Sequence, residues 1–240
     1  MQEQEEDTVE ATYMHSPGRP EDLPAPEILW SRAALFALLE LAPSRGTKDA
    51  SVELDRRGLC YVGPAPYRSW RIAVAPGDEA LLCGLADEDE NTRKPDRSGF
   101  EILDLLAGLP ERWNSPELRT EVDGRHYSFV YWHTSGEWHR SPYPEHIWDD
   151  GLAACFGDWL HLFGDPEIFF HEDDDPLLIQ FFTHAVESRI HPDEVTGAFR
   201  RLWPESKDSD ITAATRFAAG AGLLQGTVPP HYGQDPYSAA

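Results

Sequence analysis

Eight of the ten histidines fall between His126 and His191, and the stretch "HEDDD" (His171–Asp175) sets five possible metal ligands side by side. Imidazole together with carboxylates suits a first-row divalent ion, and His171, Glu172 and Asp173 are the ligands such an ion would use. The spacing argues the other way. There is no H-E-x-x-H, no H-x-H, and no calcium loop with alternating oxygen ligands and a closing Glu. Acids just ahead of a helix are favoured by its dipole without any ion. A solvated helix N-terminus is therefore the preferred reading, and no metal or other cofactor is expected.

Other groupings could support catalysis and fall short in similar ways. Asp149–Asp150 beside Trp148 is the best carboxylate pair, since an aromatic wall can raise one pKa. Adjacent helical positions diverge by about 100°, however, and would not share a substrate. Ser135 lies near His133 and His139 in "HTSGEWH", which reads as a hairpin turn, and no G-x-S-x-G occurs. "GAGLLQG" closes a helix instead of opening one and has no Walker lysine. No catalytic residue is expected. A metal-dependent hydrolase drawing on the His, Asp and Glu of 126–191 is the enzymatic alternative.

Charge is the stronger signal. The 240-residue chain carries a formal net charge of −23, and Ser141–Ser188 contains 11 acids and no Lys or Arg. Such a chain lacks the cations that phosphate contacts need, which argues against direct nucleic-acid binding and against an anionic membrane surface. It favours rapid encounter with a basic protein. The expected function is that of an acidic cytoplasmic inhibitor, most concretely an immunity protein or antitoxin filling the cationic cleft of a nucleic-acid-processing toxin domain. A structural subunit of a larger assembly is a further alternative. The partner-facing set would be Trp138 as an exposed aromatic anchor with Glu145, Asp149, Asp150, Asp158, Asp165, Glu172, Asp173, Asp174 and Asp175.

Three cysteines without C-x-x-C fit a reducing compartment. Seven acids and one Arg in the first 22 residues predict no secretory leader. No apolar run approaches the ~18–20 residues a spanning helix requires.

The elements that must position these residues follow from periodicity. The acidic, proline-rich residues 1–26 predict a flexible arm, and 226–240 a loose tail. Between them 27–225 reads as one α+β domain, or as two lobes, 27–110 and 111–225. "PEILWSRAALFALLELAP" predicts a helix over about 27–41. "SVELDRRGLCYVG" predicts a hairpin turning near Asp55–Gly58, and "SWRIAVAP" a strand; "EALLCGLA" is ambiguous. "FEILDLLAGLP" predicts a short helix. Asp123–Gly124, between "LRTEV" and "RHYSFVYWH", predicts a tight hairpin. With Tyr127, Phe129 and Tyr131 on one side and Ser128, Val130 and Trp132 on the other, that hairpin should be covered on both faces.

"EHIWDDGLAACFGDWLHLFGD" predicts an amphipathic helix. Trp148, Leu152, Cys155, Phe156, Trp159, Leu162 and Phe163 form its buried stripe, with Asp150, Asp158, His161 and Asp165 opposite. Three more helices are expected in "PLLIQFFTHAVESRI", which should be well buried, "HPDEVTGAFRRLWP" and "SDITAATRFAAGAGLL". Strands cluster within 51–140 and helices dominate the C-terminal half. The expected class is α+β, an antiparallel sheet packed against helices.

Overall fold

The computed structural model describes residues 14–41, 51–63, 68–86, 92, 103–124, 126–157 and 175–238. Six strands, β1 (Ser51–Asp55), β2 (Gly58–Val62), β3 (Arg68–Ala75), β4 (Glu79–Ala86), β5 (Phe129–Thr134) and β6 (Glu137–Arg140), form one antiparallel sheet in chain order. Among the described residues six α-helices accompany it: α1 (Pro26–Glu40), α2 (Pro116–Asp123), α3 (Leu152–Phe156), α4 (Pro176–Val186), α5 (Pro192–Leu202) and α6 (Asp208–Gly220). The class is the α+β one expected, with the sheet within 51–140 and helices gathered in the C-terminal half. No helix of the described residues is long and apolar enough to cross a membrane.

Register assigns the two faces. Leu54, Leu59, Ile72, Leu82, Tyr131 and Arg140 are successive cross-strand partners across all six strands. Because side chains alternate along a strand, this row marks the face that packs on α1 and the C-terminal helices, with Trp30, Leu35, Leu38, Phe181, Phe199 and Phe217 in the same core. The reverse face (Ala73, Leu81, Cys83, Val130, Trp132) lies under Leu105, Leu106, Leu109, Trp113 and Leu118. Phe129 and Tyr131 thus enter one core while Val130 and Trp132 enter the other, and Tyr127, expected beside Phe129 and Tyr131, packs with Val130 and Trp132 instead, since it precedes the start of β5. Double coverage also explains the ambiguity of "EALLCGLA". A strand buried on both sides, as β4 is, loses its polar alternation.

Two expected elements are corrected. The hairpin at Asp123–Gly124 is instead the end of α2, whose start is fixed by Pro116 and by the Ser115 hydroxyl accepting from the Leu118 N–H at 3.1 Å. The chain reverses where "HTSGEWH" predicts a turn, at Ser135–Gly136 (φ 56° and 84°), between the paired Thr134 and Glu137. The described part of "FEILDLLAGLP" forms turns, because the Asp104 carboxylate accepts the Leu106 N–H and Gly108 sits at φ 88°.

The long amphipathic helix near 145–165 is not formed in its first turns. Gly151 at φ 85° blocks helix upstream of Leu152, so α3 begins there. Trp148 is consequently 55 % exposed instead of lying in a buried stripe. α4 buries Phe181, Phe182 and Ala185 but leaves Leu177 exposed, less than its all-apolar sequence suggested.

Both flanks pack on the body of the molecule where they are described. Residues 14–25 run beside β6 as a strap that buries Met14 and Leu23 and contains the short 3₁₀ turn Pro20–Asp22. Buried Asp22 holds the strap's shape by accepting the His15 and Arg19 N–H groups at 3.0 and 2.8 Å. At the other terminus the Tyr232 N–H donates to the Val74 carbonyl, and the Tyr232 ring meets Trp113 edge-on. The described parts of both flanks thus make anchoring apolar and backbone contacts.

Candidate functional site

Asp150 organises the region. It is fully buried, and its carboxylate accepts four hydrogen bonds. Gly18 and Leu152 N–H groups reach Oδ1 at 3.0 and 3.1 Å, and the Tyr131 and Tyr143 hydroxyls reach Oδ2 at 2.7 and 3.1 Å. Burial pushes its carboxyl above the usual range against the pull of these donors. The same burial, with the Asp150 charge alongside, pushes both tyrosine hydroxyls well up, so they act as donors throughout the neutral range.

Gly18 is required at this contact. A Cβ there would lie 2.4 Å from Leu152 Cδ2 and 2.8 Å from the Tyr131 hydroxyl. Arg140 closes the junction, its Nε–H donating to the Gly18 carbonyl at 3.1 Å and its guanidinium lying 3.7 Å over the Tyr143 ring.

From Gly18 the strap continues along β6 to Pro24, whose carbonyl accepts the Trp138 indole N–H at 2.7 Å. Between this part of the strap and the sheet end lies an open cleft of about 460 Å³. Two tight turns form its other walls. The β3–β4 turn contributes Asp78, in the left-handed region at φ 58°, which Asp tolerates. The β5–β6 hairpin contributes His133, Gly136, Glu137 and Trp138, and the strap adds Glu21 and Leu23.

Among the described residues three carboxylates line the cleft and no Lys or Arg does. Arg19 lies 4.0 Å from the cleft acid Glu21, both side chains being exposed, and Arg112 pairs with Glu79. His133 is 4 % exposed, with Nδ1 2.6 Å from the Asp78 backbone carbonyl and its ring edge-on to Trp138 at 5.3 Å.

The residues singled out in the sequence are dispersed. Trp138, expected exposed, is buried at 7 %, because it faces the strap instead of solvent. Asp150, expected on an outer helical face, is the buried node just described. Asp149 is half-buried and caps the Gly151 N–H at 2.9 Å, so the two adjacent acids serve separate structural contacts. Glu145 is exposed. Asp175 is the N-cap of α4 and pairs with Arg201, which holds its carboxyl below the usual range. Asp158, Asp165, His171, Glu172, Asp173 and Asp174 lie outside the described residues.

Ser135 sits at the hairpin tip, while His133 and His139 point to opposite faces, His139 stacking on Trp132. The three make no shared site. Among the described residues no group of three or more His, Cys, Asp or Glu could hold a metal ion. The cleft residues Glu21, Asp78 and Glu137 escape a sequence reading because they come from three separate segments. The visible signals were only the turn dipeptides Gly77–Asp78 and Ser135–Gly136, which mark where two hairpins end together. No protein-family model, curated protein or solved structure matches the chain.

Proposed function

We propose that this chain is an acidic binding protein that captures and inhibits a basic protein, most concretely as an immunity protein or antitoxin that blocks the cationic cleft of a nucleic-acid-processing toxin. The observation that carries the reading is the cleft lined by Glu21, Asp78 and Glu137, with no Lys or Arg among its described lining residues, on a molecule of net charge −23. Opposite charge steers encounter and can lift association rates to ~10⁸–10⁹ M⁻¹s⁻¹ at low salt. Speed of that order suits a protein that must disarm its target before the target acts. Exposed Glu145 and Trp148 extend the acid and aromatic surface available to such a partner. A cytoplasmic site of action accords with Cys60, Cys83 and Cys155 all being free thiols.

The test is to produce the product of the neighbouring reading frame and assay its nuclease activity with and without this protein at low and high salt. Stoichiometric inhibition that weakens as salt rises supports the proposal. A neighbouring product that is not basic, or whose activity is unaffected at low salt, overturns it.

A further inference from the structure

We propose that residues 14–25 are a releasable strap, the intramolecular occupant of a peptide-binding groove beside β6, and that the strap of a second copy can take the same place. The proposal does not depend on the capture reading.

The groove holds main chain. Asp150 Oδ1 accepts the Gly18 N–H at 3.0 Å, and Arg140 Nε–H donates to the Gly18 carbonyl at 3.1 Å. An acid and a guanidinium thus grip both polar groups of one residue's backbone. The Trp138 indole donates to another carbonyl, that of Pro24, at 2.7 Å. The slot between Leu152 and the Tyr131 hydroxyl leaves no room for a Cβ at position 18. Toward the two ends of the strap, Met14 and Leu23 enter the apolar core. Main-chain hydrogen bonds combined with pockets for a few side chains are how peptide grooves bind extended ligands.

Each side of this junction is braced without the other. When Gly18 leaves, Asp150 keeps the Tyr131 and Tyr143 hydroxyls and the Leu152 N–H as donors. Arg140 keeps the Ser141 carbonyl at 3.0 Å and the Tyr143 ring. Within the strap, buried Asp22 accepts the His15 and Arg19 N–H groups and lies 2.6 Å from His15 Nδ1. The groups that lose a partner on release are those the strap itself covers, and water takes its place there. Segments held in this way open below the free energy of global unfolding.

The strap meets the body of the chain at Pro24–Ala25–Pro26, where Pro26 is the first residue of α1 and marks where helix gives way to strap. A strap freed at this point is complementary to the groove of any other copy, which is the logic of exchanged segments. Pro20, Glu21, Leu23 and Ala25 also line the acid-lined cleft, so occupancy of the groove decides whether that cleft has its strap wall.

The experiment is a fluorescence-anisotropy titration of the full chain with a labelled synthetic peptide of residues 14–25. In wild type the chain's own strap competes, and apparent affinity falls by the fraction of grooves that are open. Two full-chain variants, Gly18→Val and Asp22→Ala, weaken the resident strap while leaving the groove residues untouched. Each should bind the wild-type peptide at least about ten-fold more tightly than wild type does. The peptide carrying Gly18→Val should bind these variants at least about ten-fold more weakly than the wild-type peptide, because the slot at Leu152 rejects it. Arg140→Gln added to Asp22→Ala should weaken the wild-type peptide by roughly ten-fold, the loss of one charge-assisted hydrogen bond.

No gain of peptide binding in either variant overturns the proposal, as does equal binding of the Gly18→Val peptide. Loss of near-ultraviolet circular dichroism in both variants overturns it as well, since a separable strap leaves the sheet and helices folded.

Discussion

Gly18 and Asp150 are 132 residues apart in sequence and joined by a 3.0 Å hydrogen bond from the Gly18 N–H to the Asp150 carboxylate. This contact ties the N-terminal strap to the sheet at the tyrosine pair of Tyr131 and Tyr143. A second tie, from the Trp138 indole to Pro24, fixes the strap's far end. The wall of the acid-lined cleft lies between them. A buried acid thereby sets the position of exposed ones, the reverse of an arrangement in which every acid faces a partner.

Asp150→Ala should be among the most damaging single changes, since it strands two backbone N–H groups and two hydroxyls in a buried site. A loss of about 3–5 kcal/mol is expected in urea unfolding. Asp150→Asn should cost less, because the tyrosine hydroxyls can turn to accept from the new amide. Both variants should speed hydrogen exchange at Gly18. A change below about 1 kcal/mol for Asp150→Ala would show that the node is not structural.

The pH dependence has a definite sign. Burial places the folded-state pKa of Asp150 above that of the unfolded chain, near 3.9. Stability from this group is present in acid and lost as pH rises through the interval between the two values. The stability difference between wild type and Asp150→Asn should therefore shrink as pH rises from about 4. Paired urea denaturations across the acidic range check this, and a difference that grows with pH contradicts it.

Gly18→Ala changes no cleft residue and forces a methyl against Leu152 and the Tyr131 hydroxyl. Overpacking of this kind costs about 1–3 kcal/mol. Retained stability would show that the strap can shift without consequence.

The cysteines should be slow to react in the native protein. Burial pushes Cys83 and Cys155 up to about 12, and Cys60, half-buried beside Arg71, is also raised. Alkylation needs the thiolate. Iodoacetamide at pH 8 should label the native chain slowly and the urea-unfolded chain fully at all three positions. Rapid native labelling at Cys83 would contradict the burial described.

The fold class was legible because it rests on periodicity. β3 alternates, the β1–β2 turn carries its own Asp55 cap, and the helices from Pro176 onward begin at prolines and acids. Errors arose where one side chain outweighed periodicity. The Ser115 cap converts an apparent strand into α2, and Gly151 with Asp150 interrupts an apparent helix. Asp150 was misplaced for this reason, since its helical phase is irrelevant where no helix forms. Trp138 was misplaced because its polar neighbours in sequence do not show the strap that covers it. The cleft was illegible because its residues meet only through tertiary structure, at the shared end of two hairpins and a strap that composition alone marked as loose.

The central claim is that cleft carboxylates draw in a basic partner. The most direct measurement is stopped-flow association of wild type and the triple variant Glu21→Gln, Asp78→Asn, Glu137→Gln with the basic product of the neighbouring reading frame at 50 and 300 mM salt. Wild type is expected to associate near ~10⁸ M⁻¹s⁻¹ at low salt and to slow steeply as screening rises. The triple variant should be at least about ten-fold slower at low salt, with a shallower salt dependence. Equal rates for the two proteins, or a wild-type rate indifferent to salt, would contradict the account.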